Sequence, residues 1–370
     1  MWIRKITLCN FRNFTHFSAE FSSDISLIYG PNGSGKSSIV EALALFGLGR
    51  SFRGSSIKGL TKQGEKQPFQ VAIHIQDQNA KEPFSMAQLT ITDERSPHLL
   101  RFRNEDGIIR AADMIAKVPL QLLCASSFQL LEAGPLYRRQ LLDWGCFFIQ
   151  SHFRDAWRRY ASILQQRNAL LRTHGAISEA SKDSVLWAVW DKAFIEAAEA
   201  VEALRAAYWQ QFEPVFQTTI QQYLPQFTWR LQYLPGWSKA EGLEASLKAH
   251  FSRHSMLGHT TLGPHRADIG ILANGVPAKQ ILSRGQTKLL ICALLAARSQ
   301  ILFQATGRSS VLLVDDVDAE LDSKALERLF EGLQGINVQW IATSVRPEGF
   351  WASQGVEKRV FLASEPSFVV

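Results

Sequence analysis

The run Gly30-Pro31-Asn32-Gly33-Ser34-Gly35-Lys36-Ser37 combines glycines, a lysine and a hydroxyl at the spacing G-x-x-x-x-G-K-[ST]. Gly33 and Gly35 let a backbone turn tightly and aim amide N–H groups inward at phosphates. Lys36 reaches the β- and γ-phosphates, the Ser37 hydroxyl ligates Mg²⁺, and Ser38 beside it is expected to bind the nucleotide as well. The chemistry is that of holding ATP with Mg²⁺. The stretch lies between an apolar strand, Ile25 to Tyr29, and a helical pattern ending at Gly47 and Gly49, which is the context the motif requires.

A second group of residues suits the same chemistry. Val311 to Asp316, VLLVDD, has the apolar run of a buried parallel strand and closes on two acids. Asp315 stands where a carboxylate holds the metal's water shell. Asp316 reads as the base that orients water, or as the N-cap of a following helix. A third group, LSRGQTKLL, places Ser283, Arg284, Gly285 and Gln286 at the start of a helix running to about Ala297. A hydroxyl, a cation, a glycine and unpaired helix amides make a second anion-binding site. One chain therefore carries two such sites, far apart in sequence.

The elements that must position these residues come from both ends of the chain. Ile3, Ile6 and Leu8 read as a strand, and residues 69–110 are β-rich, with Asp106-Gly107 as a hairpin turn. From Arg138 to Leu224 the signal is helical. Phe153, Trp157, Tyr160, Leu164 and Leu171 form one stripe. Trp187, Trp190, Phe194, Ala197, Val201, Leu204 and Tyr208 recur alternately three and four residues apart, a heptad seam. With the polar break HGAISEASKD between them, the two stripes predict an antiparallel helical hairpin. Arg154, Arg158, Arg159, Arg167 and Arg172 are read on the opposite face, either as a solvated basic surface or as a phosphate-contacting arm. Strand signals return at Thr228 to Leu234, Asp268 to Leu272, Val311 to Val314 and Val338 to Thr343. The fold class is α/β, a P-loop core sheet with a β-rich subdomain and an inserted helical hairpin arm. The expected boundaries are 1–130 and 256–370 for the two halves of the head and 131–255 for the arm.

Bulk properties narrow the classes. Of 370 residues, 46% are hydrophobic and 20% charged, which is globular rather than disordered composition. A net charge of +6 permits contact with nucleic acid without requiring it. Cys9, Cys124, Cys146 and Cys292 are isolated, which argues against a zinc site or a disulfide framework. The start, MWIRKITLCNF, has no apolar core of a secretory leader. The longest apolar run, Leu289 to Ala297, is well short of the roughly 20 residues that span a bilayer. A cytoplasmic protein without a membrane is expected.

The order of phosphate loop, LSxGQ helix start, apolar strand ending in acids and AELD at Ala319 to Asp322 resembles the ABC-type ATPases. NFRNF at 10–14, GRSFR at 49–53, GPLYRRQLLDWG at 134–145, LGPHRAD at 262–268 and LSRGQTKLL narrow the likeness. Together they resemble the RecF family of bacterial DNA replication and repair proteins. The resemblance implies an ABC-type head with weak DNA-stimulated ATP hydrolysis, and a homodimer formed on ATP binding. In that dimer, Ser283, Arg284, Gly285 and Gln286 cap the γ-phosphate held by the second copy. It implies clamping on double-stranded or gapped DNA and, with RecO and RecR as partners, loading of RecA in recombinational repair. Arg12 becomes a contact to the nucleotide phosphates by the same resemblance; from the sequence alone it reads equally as an exposed charge after a strand.

Departures from the ABC pattern carry expectations too. Asp316 replaces the usual glutamate, one methylene longer, and predicts slow, switch-like hydrolysis. Thr343 stands where transporters have histidine, which together with the arm argues against a transporter subunit. A non-catalytic scaffold glued by ATP is the remaining alternative. The Q-loop glutamine is either Gln129 or replaced by Ser126 or Ser127. His265 and Arg266 read best as braces of a turn. Arg138 and Arg139 either bridge head and arm or reach phosphate.

Overall fold

The computed structural model describes residues 1–76, 86–95, 98–174, 185–317, 322–334, 336–345, 351 and 358–362. Most of the polar break and Ala319 to Leu321 of AELD lie outside the described residues. The chain divides into two compact units, one of Met1–Phe128 with Arg284–Val370 and one of Gln129–Ser283.

The first unit opens with β1 (Trp2–Phe11), β2 (Phe14–Glu20) and β3 (Ile25–Tyr29), followed by the helix Lys36–Leu48. It continues with β4 (Gln70–Gln76), β5 (Met86–Arg95), β6 (His98–Asn104), β7 (Gly107–Ile109) and β8 (Leu120–Leu123). The chain then forms the second unit, whose strands are β9 (Trp229–Leu234), β10 (Asp268–Ala273) and β11 (Val276–Pro277). It returns as β12 (Ser310–Val314), β13 (Val338–Ser344) and β14 (Lys358–Phe361).

Two sheets build the first unit. One is antiparallel, ordered β2-β1-β4-β5-β6-β7, and contains the β-rich region read from alternation. The other is parallel, ordered β14-β3-β13-β12-β8. Every residue of β12 and β13 is buried, as a parallel strand covered on both faces must be. Register brings Tyr29, Ser344, Val314 and Leu123 to one edge of this sheet. Ligands of parallel α/β sheets bind at the carboxyl ends of the strands.

The helix Arg284–Thr306 extends beyond the expected segment at both ends. Its length and apolarity would suit a membrane span, yet 72% of its most apolar window is buried. Buried polar contacts tie it to the parallel sheet: Gln121 Nε2 donates to Ser299 Oγ at 2.6 Å, and Ser299 and Ser310 hydroxyls meet at 2.7 Å.

The second unit is built on the helices Pro135–Ile149, Phe153–His174 and Val185–Tyr223, the last two packing as the predicted hairpin. It extends to Ser283, so residues 256–283, expected with the head, belong here. The reason is pairing: β10 runs antiparallel to β9 from Asp268↔Leu234 to Ala273↔Trp229. Arg138 adds a bidentate bond to Asp268 at 2.6 and 3.1 Å, and Arg139 donates to Ala267 O at 2.9 Å. Both arginines thus brace this unit internally.

Arg167 also departs from expectation. It is fully buried, 2.9 Å from Asp191 Oδ1 and 2.7 Å from Thr260 Oγ1, with Trp187 and Phe194 against its guanidinium. Tyr160, Leu164, Arg167 and Leu171 are four, three and four residues apart, so Arg167 lies in the seam and not on the opposite face. Arg158 and Arg159 are exposed, and Arg159 lies 3.6 Å from Glu196.

Candidate functional site

Gly30 to Ser37 leaves β3 and feeds the helix Lys36–Leu48. Gly35 has φ 102°, a backbone conformation a side chain resists, and an added Cβ would meet Phe14 Cζ at 2.5 Å. NFRNF is therefore the loop's buttress. Phe14 covers Gly35, the Asn13 amide leans on Ser34 O at 3.4 Å, and Phe11 packs edge-on to Phe69. At the other end, Gly30 N–H donates to Ser344 O at 3.3 Å, fixing the loop to β13.

A cleft of about 760 Å³ opens at this edge of the sheet. Arg12, Asn13, Asn32, Gly33, Gly35, Lys36, Ser37, Ser38, Arg53, Lys62 and Asp316 are among its lining. Lys36 is 7% exposed and rests its ammonium on Gly30 O at 2.6 Å and Pro31 O at 2.9 Å. Ser34 Oγ is buried without a hydrogen-bond partner among the described residues. The cations, the hydroxyls and the amides that open the helix suit a polyphosphate with its metal.

Asp315 and Asp316 follow β12 at the same edge. The Asp315 carboxylate accepts from Ser37 and from Thr343 Oγ1, the latter at 3.1 Å. Burial nonetheless pushes its pKa up, with nearby Asp316 adding and the two hydroxyls opposing. This pair of Ser37 and Asp315 fits Mg²⁺: a hydroxyl and a carboxylate, hard oxygens that leave room for water and phosphate. Asp316 has φ 53°, the left-handed region, and its N–H donates to Thr343 Oγ1 at 2.7 Å. The N-cap of the later segment Ser323–Leu333 is Asp322, which accepts from Ala325 N at 2.8 Å.

Arg12 lines the cleft, but most of its hydrogen bonds are committed. It donates Nε and Nη2 to Glu41 at 2.7 and 2.6 Å, Nη1 to Gly59 O at 2.7 Å, and Nη2 also to Ser55 Oγ. Glu41 is fully buried in the helix that begins with Lys36, and Ser51 of GRSFR also donates to it. Sequence reasoning passed over Glu41. A lone acid in the apolar run IVEALALF was the available signal.

Arg284, Gly285 and Gln286 form the first turn of the helix Arg284–Thr306, preceded by exposed Ser283. Gly285 lies near Asp322, where an added Cβ would be 4.0 Å from the carboxylate. The three helix residues are not among those lining the cleft. Of the Q-loop candidates, Ser127 Oγ accepts from Cys124 N at 3.0 Å and Ser126 meets Cys124 Sγ at 3.1 Å, so both shape the turn; Gln129 opens a short helix of the second unit. In that unit His265 bonds Tyr160 O–H through Nδ1 at 2.6 Å and Thr260 O through Nε2 at 3.0 Å. Since Thr260 O only accepts, Nε2 carries the proton and Nδ1 accepts from Tyr160. Asp143 and Arg205, also missed in the sequence, form a bidentate pair at 2.8 and 2.9 Å, while Arg205 donates to Pro264 O at 2.7 Å. The GPLYRRQLLDWG and LGPHRAD segments are thus clamped to each other and to the long helix.

Comparison with known proteins agrees with this architecture. The family profile of the RecF/RecN/SMC N terminal domain matches residues 2–363. DNA replication and repair protein RecF of Vibrio campbellii is 35% identical over 346 residues, 93% of each chain. That of Aliivibrio fischeri is 33% identical over 362 residues, covering 98% of this chain and 97% of the relative. The solved structure of the recombination mediator protein RecF-ATP in the RecFOR pathway superposes with a TM-score of 0.79 at 24% identity, covering 93% of this chain and 92% of that one. An Smc head bound to the C-winged helix domain of ScpA superposes at 0.58 with 15% identity, covering 94% and 90%. These two likenesses carry the fold, that of RecF and of an Smc head. With a profile spanning nearly the whole chain and relatives a third identical across it, the chain belongs to the RecF family within the RecF/RecN/SMC group.

Proposed function

We propose that this chain is an ATP-dependent DNA-binding ATPase of recombinational repair, in which ATP joins two heads around DNA and slow hydrolysis parts them. The observation that carries this reading is how the anion-binding residues divide. The phosphate loop and Asp316 share one cleft, whereas Arg284, Gly285 and Gln286 open a helix whose first turn is not in its lining. A second copy offers Ser283 to Gln286 to the γ-phosphate, so two chains make two composite sites.

Within each site Lys36 turns from the loop carbonyls to the β- and γ-phosphates. Mg²⁺, when bound, supplies positive charge to those phosphates, and Ser37 and Asp315 are the residues that would hold it. Asp316 orients the attacking water and accepts its proton. Its short side chain sits on a left-handed backbone, which favours a slow switch over rapid turnover.

DNA, double-stranded or gapped, is met through its phosphates, consistent with the net charge of +6 and the exposed Arg158 and Arg159. Relatives named for replication and repair, and a structural neighbour from the RecFOR pathway, support RecO and RecR as partners and RecA loading at gaps as the outcome. The test is ATP turnover with and without DNA, alongside DNA affinity from 50 to 200 mM salt. Turnover raised by DNA and lost in Lys36→Ala is expected, with affinity falling roughly 10³-fold if about six phosphates are contacted. DNA-independent turnover or salt-insensitive binding would overturn it.

A further inference from the structure

The end of β13 holds both halves of the nucleotide site. Ser344 O accepts from Gly30 N–H, where the phosphate loop begins. Its neighbour Thr343, fully buried, places one hydroxyl between the two acids. That hydroxyl donates to Asp315 Oδ1 at 3.1 Å and accepts from Asp316 N–H at 2.7 Å. Register explains why it reaches both: Val314 pairs with Ala342, so Thr343 comes next to Asp315.

The second bond sits at a strained point of the site. Asp316 has φ 53°, which a residue with a side chain adopts at a cost. The preceding amide, Asp315 N–H, is fixed to Leu123 O of β8 at 2.9 Å. Asp316 N–H is fixed instead to the strand on the other side of β12, through the threonine side chain. A hydroxyl alone can do both tasks, since it carries a donor and an acceptor on one atom. An aliphatic side chain of the same shape can do neither.

We infer that Thr343 is a positioning residue for hydrolysis, which sets the direction of Asp316 and the orientation of Asp315 without touching the nucleotide. The inference rests on the ATPase reading above. Its effect falls on the chemical step, because the loop amides and Lys36 that bind the phosphates are held by other bonds.

The test compares the full-length wild type, Thr343→Val, Thr343→Ser and Lys36→Ala, measuring kcat and KM for ATP with Mg²⁺ and thermal unfolding. Thr343→Val should lose roughly ten- to a hundredfold in kcat, as a misplaced reacting group does, with KM within about twofold. Thr343→Ser, which keeps the hydroxyl, should recover most of kcat. A valine variant that turns over like wild type would overturn the inference. So would a serine variant as slow as valine, since the methyl group would then be what matters, and so would a loss expressed in KM alone. If unfolding shows Thr343→Val to be poorly folded, the serine comparison still decides. Wild-type turnover no higher than that of Lys36→Ala would instead overturn the ATPase reading, and the inference with it.

Discussion

Arg12 and Glu41 form a bidentate ion pair, 2.6 and 2.7 Å, between the turn after β1 and the helix that starts with the phosphate-loop lysine. The carboxylate is fully buried and the guanidinium only partly exposed. The pair fastens the antiparallel sheet to the nucleotide site, so Arg12 shapes the cleft as well as lining it.

Removing the arginine should therefore cost more than a surface charge would. Arg12→Ala leaves the Glu41 carboxylate buried with Ser51 as a remaining donor, and should destabilise the protein by about 3 kcal/mol. Arg12→Ala with Glu41→Leu should recover much of that loss, because no buried charge is then stranded. Urea unfolding of the three proteins measures it. Equal losses for the single and double variants would show that the stranded carboxylate is not what destabilises Arg12→Ala.

Asp316 should matter to the chemical step and little to binding. Asp316→Asn keeps the size and the tolerance of a left-handed backbone but removes the base. Its kcat should fall roughly a hundredfold or more, with ATP affinity kept within about twofold. Stopped-flow binding and steady-state turnover give the two numbers. A variant that hydrolyses normally would remove Asp316 from the mechanism.

Acid should loosen the second unit through its buried histidines. Burial, more than the charges of Arg266 and Arg139, lowers the His265 pKa to about 4, and His254 is held near 3 by burial and Arg167. Both stay neutral in the fold, while in the unfolded chain they take a proton near pH 6.5. From pH 6.5 down to about 4 the unfolded state binds more protons, so their contribution to stability is present at neutral pH and lost as pH falls. The gap in urea midpoint between wild type and His265→Gln should shrink from pH 7.5 to pH 5. A constant gap would contradict it.

Gly145 faces Tyr208 so closely that an added Cβ would lie 2.0 Å from its ring. Gly145→Ala should cost about 1–3 kcal/mol, the usual range for overpacking. Combined with Tyr208→Leu, the loss should be less than the sum of the two singles. Additive losses would mean that the ring moves aside freely.

The sites legible in the sequence were those where local spacing dictates chemistry. Gly30 to Ser37 between strand and helix, and VLLVDD as a buried strand, need only their neighbours to be read. What long-range contact decides was not legible. Glu41 looked like one acid on a helix until Arg12 and Ser51 closed on it. The unit ends at Ser283 and not near 255 because β10 pairs with β9, and its Asp268 with Arg138, 130 residues earlier in the chain. Arg167 is a different case: its seven-residue step from Tyr160 already placed it in the seam, and its charge misdirected the reading.

The most direct measurement is the mass in solution by light scattering, without nucleotide, with ADP–Mg²⁺ and with ATP–Mg²⁺, for wild type and Ser283→Arg. The substitution puts a bulky cation where a partner's γ-phosphate is expected. ATP should double the mass of the wild type, and Ser283→Arg should bind ATP yet remain single. A mass that never changes with ATP, or a doubling that survives Ser283→Arg, would contradict the shared site.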